Sequence, residues 1–350
     1  MGKMLITSSI LGCLGPIMST VGSLGQKLFR PVRLPQEKYD LHAFYNKTAA
    51  NMHSDHLLTH KLFTEWKSLH GYFPEDYSSY EMILSKMAFR RLDESRHQLF
   101  RELKNNFCLE GFNTEAHQDN DGLVRLVLAA GFYPEVAIGT GKRNQLKLRK
   151  LSSASAMPSS VNYILGSGTI SASLAARGLC RDPYKLAFRA INPRFFIYEE
   201  LLDVGQKLVS KTTAVDPLVF ILLAERLNYK YYLTRNGSVV PHLVVDDWVR
   251  YRSTSEQDLK LLIELRMHWN EFLQFVICKK LIKMPFTTLE QQAINTFKEA
   301  IAIFASSMNV NRKLIYESVA ECDQNGKPFA TSSEAGGQFD DGGIALETRQ

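Results

Sequence analysis

The period of apolar positions changes several times along the chain, and each change marks an element. Residues 4–14 read as a buried helix, and Pro16 can open a second one, because its fixed φ and missing N–H are tolerated in a first helical turn. Residues 27–38 look extended. From Lys38 to Leu69 the pattern is helical, with Leu57, Leu58, Leu62, Phe63 and Trp66 along one side. After the turn-rich stretch Gly71 to Ser79, an amphipathic helix is predicted from Tyr80 to Asn105, with Leu84, Met87, Leu92, Leu99 and Leu103 among its apolar positions. Its outer face carries Lys86, Arg90, Arg91, Arg96, Arg101 and Lys104 against Asp93, Glu94 and Glu102, and reads either as a solvated face or as one that meets phosphates. Gly122 to Phe132 is a further helix, ended by Tyr133-Pro134.

Beyond it the pattern turns β-like. Glu135–Ile138, Leu146–Leu151, Phe195–Leu202 and Lys207–Thr213 are short segments rich in branched and aromatic residues, and Tyr229–Thr234 and His242–Tyr251 complete the set. Several short strands between helices suggest a small barrel, of which the OB-fold is the commonest with nucleic-acid duties. Gly166 to Asn192, rich in Gly, Ser and Ala with a basic finish, reads as an insertion. Ser253-Thr-Ser-Glu256 has capping-box spacing and opens a helix bearing Leu259, Leu262, Leu265, Trp269, Phe272 and Val276. A last helix is predicted at about Leu289 to Ser306. The Gly, Ser and Asp-rich remainder, 321–350, lacks the apolar surface needed to order itself.

Composition changes this picture little. With 45% hydrophobic and 22% charged residues in 350, the chain is neither fibrous nor wholly disordered, and can hold two domains. The net charge of +6 understates the folded part, since the stretch from Asp323 to the end carries five acidic against two basic residues; the rest is near +9, which favours polyanionic partners. Five cysteines (Cys13, Cys108, Cys180, Cys278, Cys322) stand far apart without a Cys-x-x-Cys pair, so neither a zinc site nor a disulfide framework is expected, and a reducing compartment fits. His53, His56 and His60 lie close together, but only His56 and His60 share a helical face, and no metal is expected. Met4 to Gly25 holds no charge, which raises a signal or membrane anchor; its hydroxyls, Gly12, Gly15 and Pro16 suit two buried helices better, and no membrane partner is expected.

Several words in the chain occur in a telling order: Gly2-Lys-Met-Leu, Ile10-Leu-Gly-Cys-Leu-Gly-Pro-Ile, Ser54-Asp-His-Leu-Leu, Leu123-Val-Arg-Leu-Val-Leu-Ala-Ala-Gly-Phe-Tyr-Pro-Glu-Val-Ala, Pro158-Ser-Ser-Val-Asn162, Phe196-Ile-Tyr-Glu-Glu-Leu, Thr212-Thr-Ala-Val-Asp-Pro and Val245-Asp-Asp-Trp. Over roughly residues 1–305 they resemble the region after the two RecA-like domains of DEAH/RHA-type RNA helicases. The chain departs from that family at Met157, where the family has histidine, at Phe195, where it has tryptophan, and in the 166–192 insertion.

The resemblance implies an α+β fold: the end of a winged helix (1–36), a helical ratchet-like (HA2) domain (37–121), a small OB-like β-barrel (122–252) and C-terminal helices (253–320), followed by a disordered tail (321–350). It implies RNA, mainly single-stranded, as partner, a RecA-like motor in cis or trans, a possible G-patch-type activator, and a cytoplasmic or nuclear location. The 350 residues contain no Gly-x-x-x-x-Gly-Lys-Ser/Thr loop, no Asp-Glu-Ala-His box and no arginine finger. ATP and Mg²⁺ therefore belong to the motor, and no cofactor or catalytic residue is expected here. Asp246-Asp247 reads as barrel edge. Backbone tracking calls for cations and short donors. Lys142, Arg143, Lys147, Arg149 and Lys150 supply the cations across a hairpin, with Leu146 and Leu148 turned inward; the alternative is a solubilising hairpin. Ser159, Ser160 and Asn162 match the family's turn near RNA, or else act as local turn caps. Trp66, Trp248 and Trp269 suit core packing better than base stacking. The competing function is a protein-docking module; a membrane-anchored protein is the third.

Overall fold

The computed structural model describes residues 1–30, 35–49, 52–73, 83–107, 109, 111–140, 144–149, 153–163, 195–233, 237–253, 255–310, 314–316, 320–322 and 344–348. The insertion at 166–192 lies outside them. The chain forms two units, Met1–Val215 with Val276–Val310, and Asp216–Phe275 with Asn311–Gln350. Helix and strand are mixed throughout, as an α+β fold requires.

The first unit begins with α1 (Gly2–Leu11) and α2 (Leu14–Gly22). Both are buried along most of their length, and the hydroxyls of Ser8, Ser9 and Thr20 are satisfied by carbonyls one turn back, so polar side chains enter the core without an unpaired group. Gly12 ends α1 at φ 81°, and a Cβ there would stand 2.9 Å from the Asn113 carbonyl oxygen; position 12 needs glycine on both counts. No described helix is long and apolar enough to cross a membrane.

The predicted helix 38–69 is two helices, α3 (Pro35–Thr48) and α4 (Asp55–Ser68). His53 adopts φ 47°, and Ser54 is extended, capping α4 by accepting from the Leu57 N–H; together they interrupt an otherwise continuous apolar stripe. Helix α5 (Lys86–Asn106) starts at the Ser85 cap. Leu84, expected inside it, pairs instead with Phe29 in an isolated bridge. Leu41, Phe44, Leu58, Leu62, Trp66, Phe89 and Leu92 from these three helices share one core. Arg96, expected on the outer face of α5, is turned inward. Its guanidinium donates to the Gly15 carbonyl (2.6 Å) and Ser19 Oγ (2.5 Å) and lies 4.7 Å from the Phe63 ring centre.

Helix α6 (Asp121–Phe132) opens on Asn120, whose side chain accepts from the Leu123 N–H. At Gly131 a Cβ would come within 1.9 Å of Met4 Cγ, where α1 crosses α6. Both helices are packed on that side, so Gly131→Ala should destabilise the protein by about 1–3 kcal/mol, as overpacking of a filled core does. Thermal unfolding checks this, and an unchanged melting temperature would mean that Met4 has room to swing aside.

Five strands then close a small barrel: β1 (Val136–Gly139), β2 (Gln145–Leu148), β3 (Ala154–Ala156), β4 (Phe195–Asp203) and β5 (Lys207–Ala214). Their order is β1-β2-β3-β5-β4 and back to β1, with every pair antiparallel except β3 and β5. Ala137, Ala154, Ala156 and Ala214 line the interior beside Leu146, Leu148, Phe196 and Val209; small residues at alternate positions let so few strands close on themselves.

The remaining strand segments are not part of this barrel, which ends at Ala214 rather than extending to 252. In the second unit, after the short α7 (Val219–Leu223), β6 (Leu227–Leu233), β7 (Val239–Val245) and β8 (Val249–Ser253) form an antiparallel meander. Period-two alternation identifies a strand but not the sheet it joins. Three strands of the C-terminal stretch extend the meander: β9 (Leu314–Tyr316), β10 (Ala320–Cys322) and β11 (Ile344–Thr348), in the order β10-β6-β7-β8-β11-β9. The expected unstructured remainder thus contributes β10, most of it, and β11, because the open edges of β6 and β8 offer unpaired backbone groups to any extended segment.

Helix α8 (Glu256–Leu281) follows β8, and α9 (Thr288–Ser306) is the last of the described helices. The capping box forms not at Ser253–Glu256 but at Thr287 and Glu290, each side chain bonding the other's backbone N–H. Ser253 Oγ instead donates to Asp258.

Candidate nucleic-acid interface

Strand β2 alternates as its sequence requires: Leu146 and Leu148 are buried in the barrel, and Lys147 between them is exposed, opposite Ile138 of β1. Arg149, one residue past the strand, is half-buried. Lys142, Arg143 and Lys150 lie outside the described residues. The visible part of the hairpin therefore presents a cation on the outer barrel wall, with the aliphatic side committed to the core.

The turn Pro158–Asn162 is organised by a buried carboxylate. Asp55, in the first turn of α4, accepts from Ser160 Oγ (2.6 Å) and the Thr212 N–H (2.7 Å) at one oxygen, and from the Val161 N–H (2.8 Å) at the other. Ser160, 1% exposed, also meets Thr212 Oγ1 at 2.8 Å. Asn162 Nδ2 donates to Thr212 Oγ1 (2.8 Å) and to the carbonyls of His53 and Thr212. The polar groups of Ser160 and the amide nitrogen of Asn162 are thus spent inside the protein, clasping turn, helix α4 and strand β5. Of the three turn residues, Ser159 is the one whose hydroxyl bonds no described residue; its carbonyl accepts from Tyr45 Oη at 2.6 Å. Burial pushes the Asp55 carboxyl up to about 6, against the pull of its three hydrogen bonds and of Lys211.

A second buried set adjoins the clasp. Glu199 on β4, its side chain 7% exposed, is paired with Lys211 of β5 (2.8 Å), whose ammonium also donates to the Ser23 carbonyl. His56 Nδ1 lies 2.7 Å from Thr213 Oγ1, and its Nε2 is 3.9 Å from Glu199. Burial and then the Lys211 charge push His56 down to about 3, so the ring is neutral. Arg125 of α6, 8% exposed, donates to two carbonyls, those of Met52 and of Ala214 at the end of β5. His60 bonds Ser19 rather than sharing a ligand with His56, and among the described residues no cluster of His, Cys, Asp and Glu could hold a metal ion. Trp66 and Trp269 are buried and Trp248 is half-buried.

Asp55, Thr212, Glu199 and Arg125 were not singled out from sequence. The words Ser54-Asp-His and Thr212-Thr carried the signal, but their chemistry depends on partners more than 100 residues away.

No family model matches the chain. Over 159 residues, 43% of the chain, it is 30% identical to the DExH-box ATP-dependent RNA helicase DExH3 of Arabidopsis thaliana. Over 155 residues, 41% of the chain, it is 26% identical to the ATP-dependent DNA/RNA helicase DHX36 of Homo sapiens, and the Bos taurus DHX36 matches to the same extent. The matched relatives are thus DExH-box RNA helicases, and the matched stretch makes up 13–15% of their length.

Proposed function

We propose that this chain is an RNA-binding accessory region of an ATP-dependent DEAH/RHA-type helicase, guiding single-stranded RNA past a RecA-like motor that acts in cis or in trans. In this reading helices α3–α5 belong to the ratchet-like domain and β1–β5 form an OB-fold. The strand order, closed through one parallel pair between β3 and β5, supports the second assignment. So does the position of the basic segment, since oligonucleotides meet the first loop and the second and third strands of such barrels. Lys142 and Arg143 fall in that loop by sequence, and Lys147 on β2.

The observation that carries the proposal is Lys147, exposed on the outer wall of a barrel in a chain whose relatives are RNA helicases. Lys142, Arg143, Lys147, Arg149 and Lys150 would contact phosphates, with Ser159 as the hydroxyl donor. Ser160 and Asn162 would hold the turn in place rather than touch RNA. ATP and Mg²⁺ would be bound by the motor alone. The setting would be cytoplasmic or nuclear and reducing, in keeping with free thiols at Cys13 and Cys278.

The test is binding of a fluorescent single-stranded RNA by the full chain between about 50 and 200 mM salt, with ATP turnover measured in the same samples. Binding should weaken with salt and no ATP should be consumed. Replacing Lys147 and Arg149 with glutamine should lower the slope of log K against log salt by about 1.4, at about 0.7 per lost contact. Absence of binding at low salt would favour the competing reading, a docking module for a G-patch-type activator. Turnover of ATP would overturn the assignment of the motor to another chain or segment.

A further inference from the structure

Helix α5 buries Ala88, Phe89, Leu92 and Leu103 on one side and leaves a long basic stripe on the other. At 100° per residue, Lys86, Arg90, His97, Arg101 and Lys104 fall within about 60° of one another, along about 27 Å of helix. All five are exposed. An ordinary solvated face would alternate signs at i, i+3 and i+4, because opposite pairs stabilise a helix and like pairs destabilise it by similar amounts. Here Lys86 faces Arg90 and Arg101 faces Lys104, although Arg90 also faces Asp93 and Glu94 at i+3 and i+4.

Asp93 is held by Lys67 at 2.5 Å, with His97 at 3.7 Å, and Glu102 accepts from Gln98, while Glu94, one turn after Arg90, makes no ion pair with a described residue. Arg90, Arg101 and Lys104 make no ion pair with any described residue. Beside the stripe, about 40° off its edge and one turn before Lys104, stands Phe100, 41% exposed. The helix thus keeps three cations with no ion pair to a described residue, and a solvent-facing aromatic ring, on one side.

We infer that this face of α5 is a second nucleic-acid track, with Arg90, Arg101 and Lys104 on the phosphates and Phe100 stacked on a base of single-stranded RNA. The inference rests on the RNA-guiding reading above, but uses residues that the barrel does not supply. Cations spaced along one line suit a backbone, and an aromatic ring beside them suits unpaired bases, whose faces are free to stack.

The experiment uses the full chain and two variants. With Arg90→Gln, Arg101→Gln and Lys104→Gln combined, the salt slope for single-stranded RNA should fall by about 2, at about 0.7 per lost contact. The melting temperature should hold or rise slightly as the like charges are removed. Phe100→Ala should weaken single-stranded binding by about 5- to 100-fold and leave duplex binding unchanged. An unaltered slope in the triple variant, with the Lys147 and Arg149 variant still impaired, would overturn this inference and spare the barrel assignment. Equal losses on duplex and single strand from Phe100→Ala would overturn the single-stranded partner. A parent chain that binds no RNA would remove both proposals.

Discussion

Replacing Asp55 with alanine is expected to cost about 3 kcal/mol and lower the melting temperature by about 6–12 °C. The carboxylate accepts from two backbone N–H groups, those of Val161 and Thr212, in a site where water cannot replace it. Each buried donor left without an acceptor costs about 1–3 kcal/mol. Part of that loss is returned, because burial raises the carboxyl to about 6 and the ionised group is already held at some expense near neutral pH. Asp55→Asn separates the contributions. Its amide nitrogen would occupy one of the two positions that now accept, setting donor against donor, so asparagine should recover little of the loss. Thermal unfolding of the two variants checks this, and a shift of under a degree in the alanine variant would sink the account of the clasp.

Lowering the pH from 7 to 5 should cost the protein about 4 kcal/mol. Burial pushes His42 and His60 down to about 4 and His56 to about 3, from an ordinary 6.5. The unfolded chain therefore binds more protons at these three sites between about pH 6.5 and 4, and stability falls as pH drops through that window. Each histidine accounts for about 2 kcal/mol at pH 5. Asp55 acts in the opposite sense: raised to about 6 from 3.8, it takes up its proton earlier in the folded state, returning about 1 kcal/mol over the same interval. Three sites outweigh one. Melting curves at pH 7, 6 and 5 test the sum, and His60→Gln should flatten the dependence by nearly half. A melting temperature flat across this range would refute the burial of these rings as neutral groups.

The elements most legible in the sequence were those set by local chemistry. Gly12 and Pro16 mark the break between α1 and α2, and branched or aromatic runs mark β1, β2, β4 and β5. Strand β3 was not legible, because Ala154-Ser-Ala156 has no strand preference of its own and is extended only by pairing with β2 and β5. The division of strands between barrel and second sheet was hidden for a related reason: alternation reports a buried face but not which sheet provides it. The capping box at Thr287 was spelled out in Thr287-Thr-Leu-Glu290, yet Ser253-Thr-Ser-Glu256 has the same spacing, and only the hydrogen bonds separate them. The hairpin cation Lys147 could be placed on its outer face from alternation alone. The inward turn of Arg96 could not, since its partners, Gly15 and Ser19, come from another helix.

The hydroxyl and carboxylate clasp also sets how the first unit comes apart. Asp55 and Ser54 belong to a helix, Thr212 and Thr213 to a barrel strand, and Ser160 to the turn before the insertion, yet they share one set of short hydrogen bonds. No one of the three segments can peel away without stranding polar groups of the other two. Local opening there becomes as costly as opening all three segments together, so the amide protons of Val161 and Thr212 should exchange with solvent at the same slow rate as those of the α4 core rather than at the rate of a surface turn.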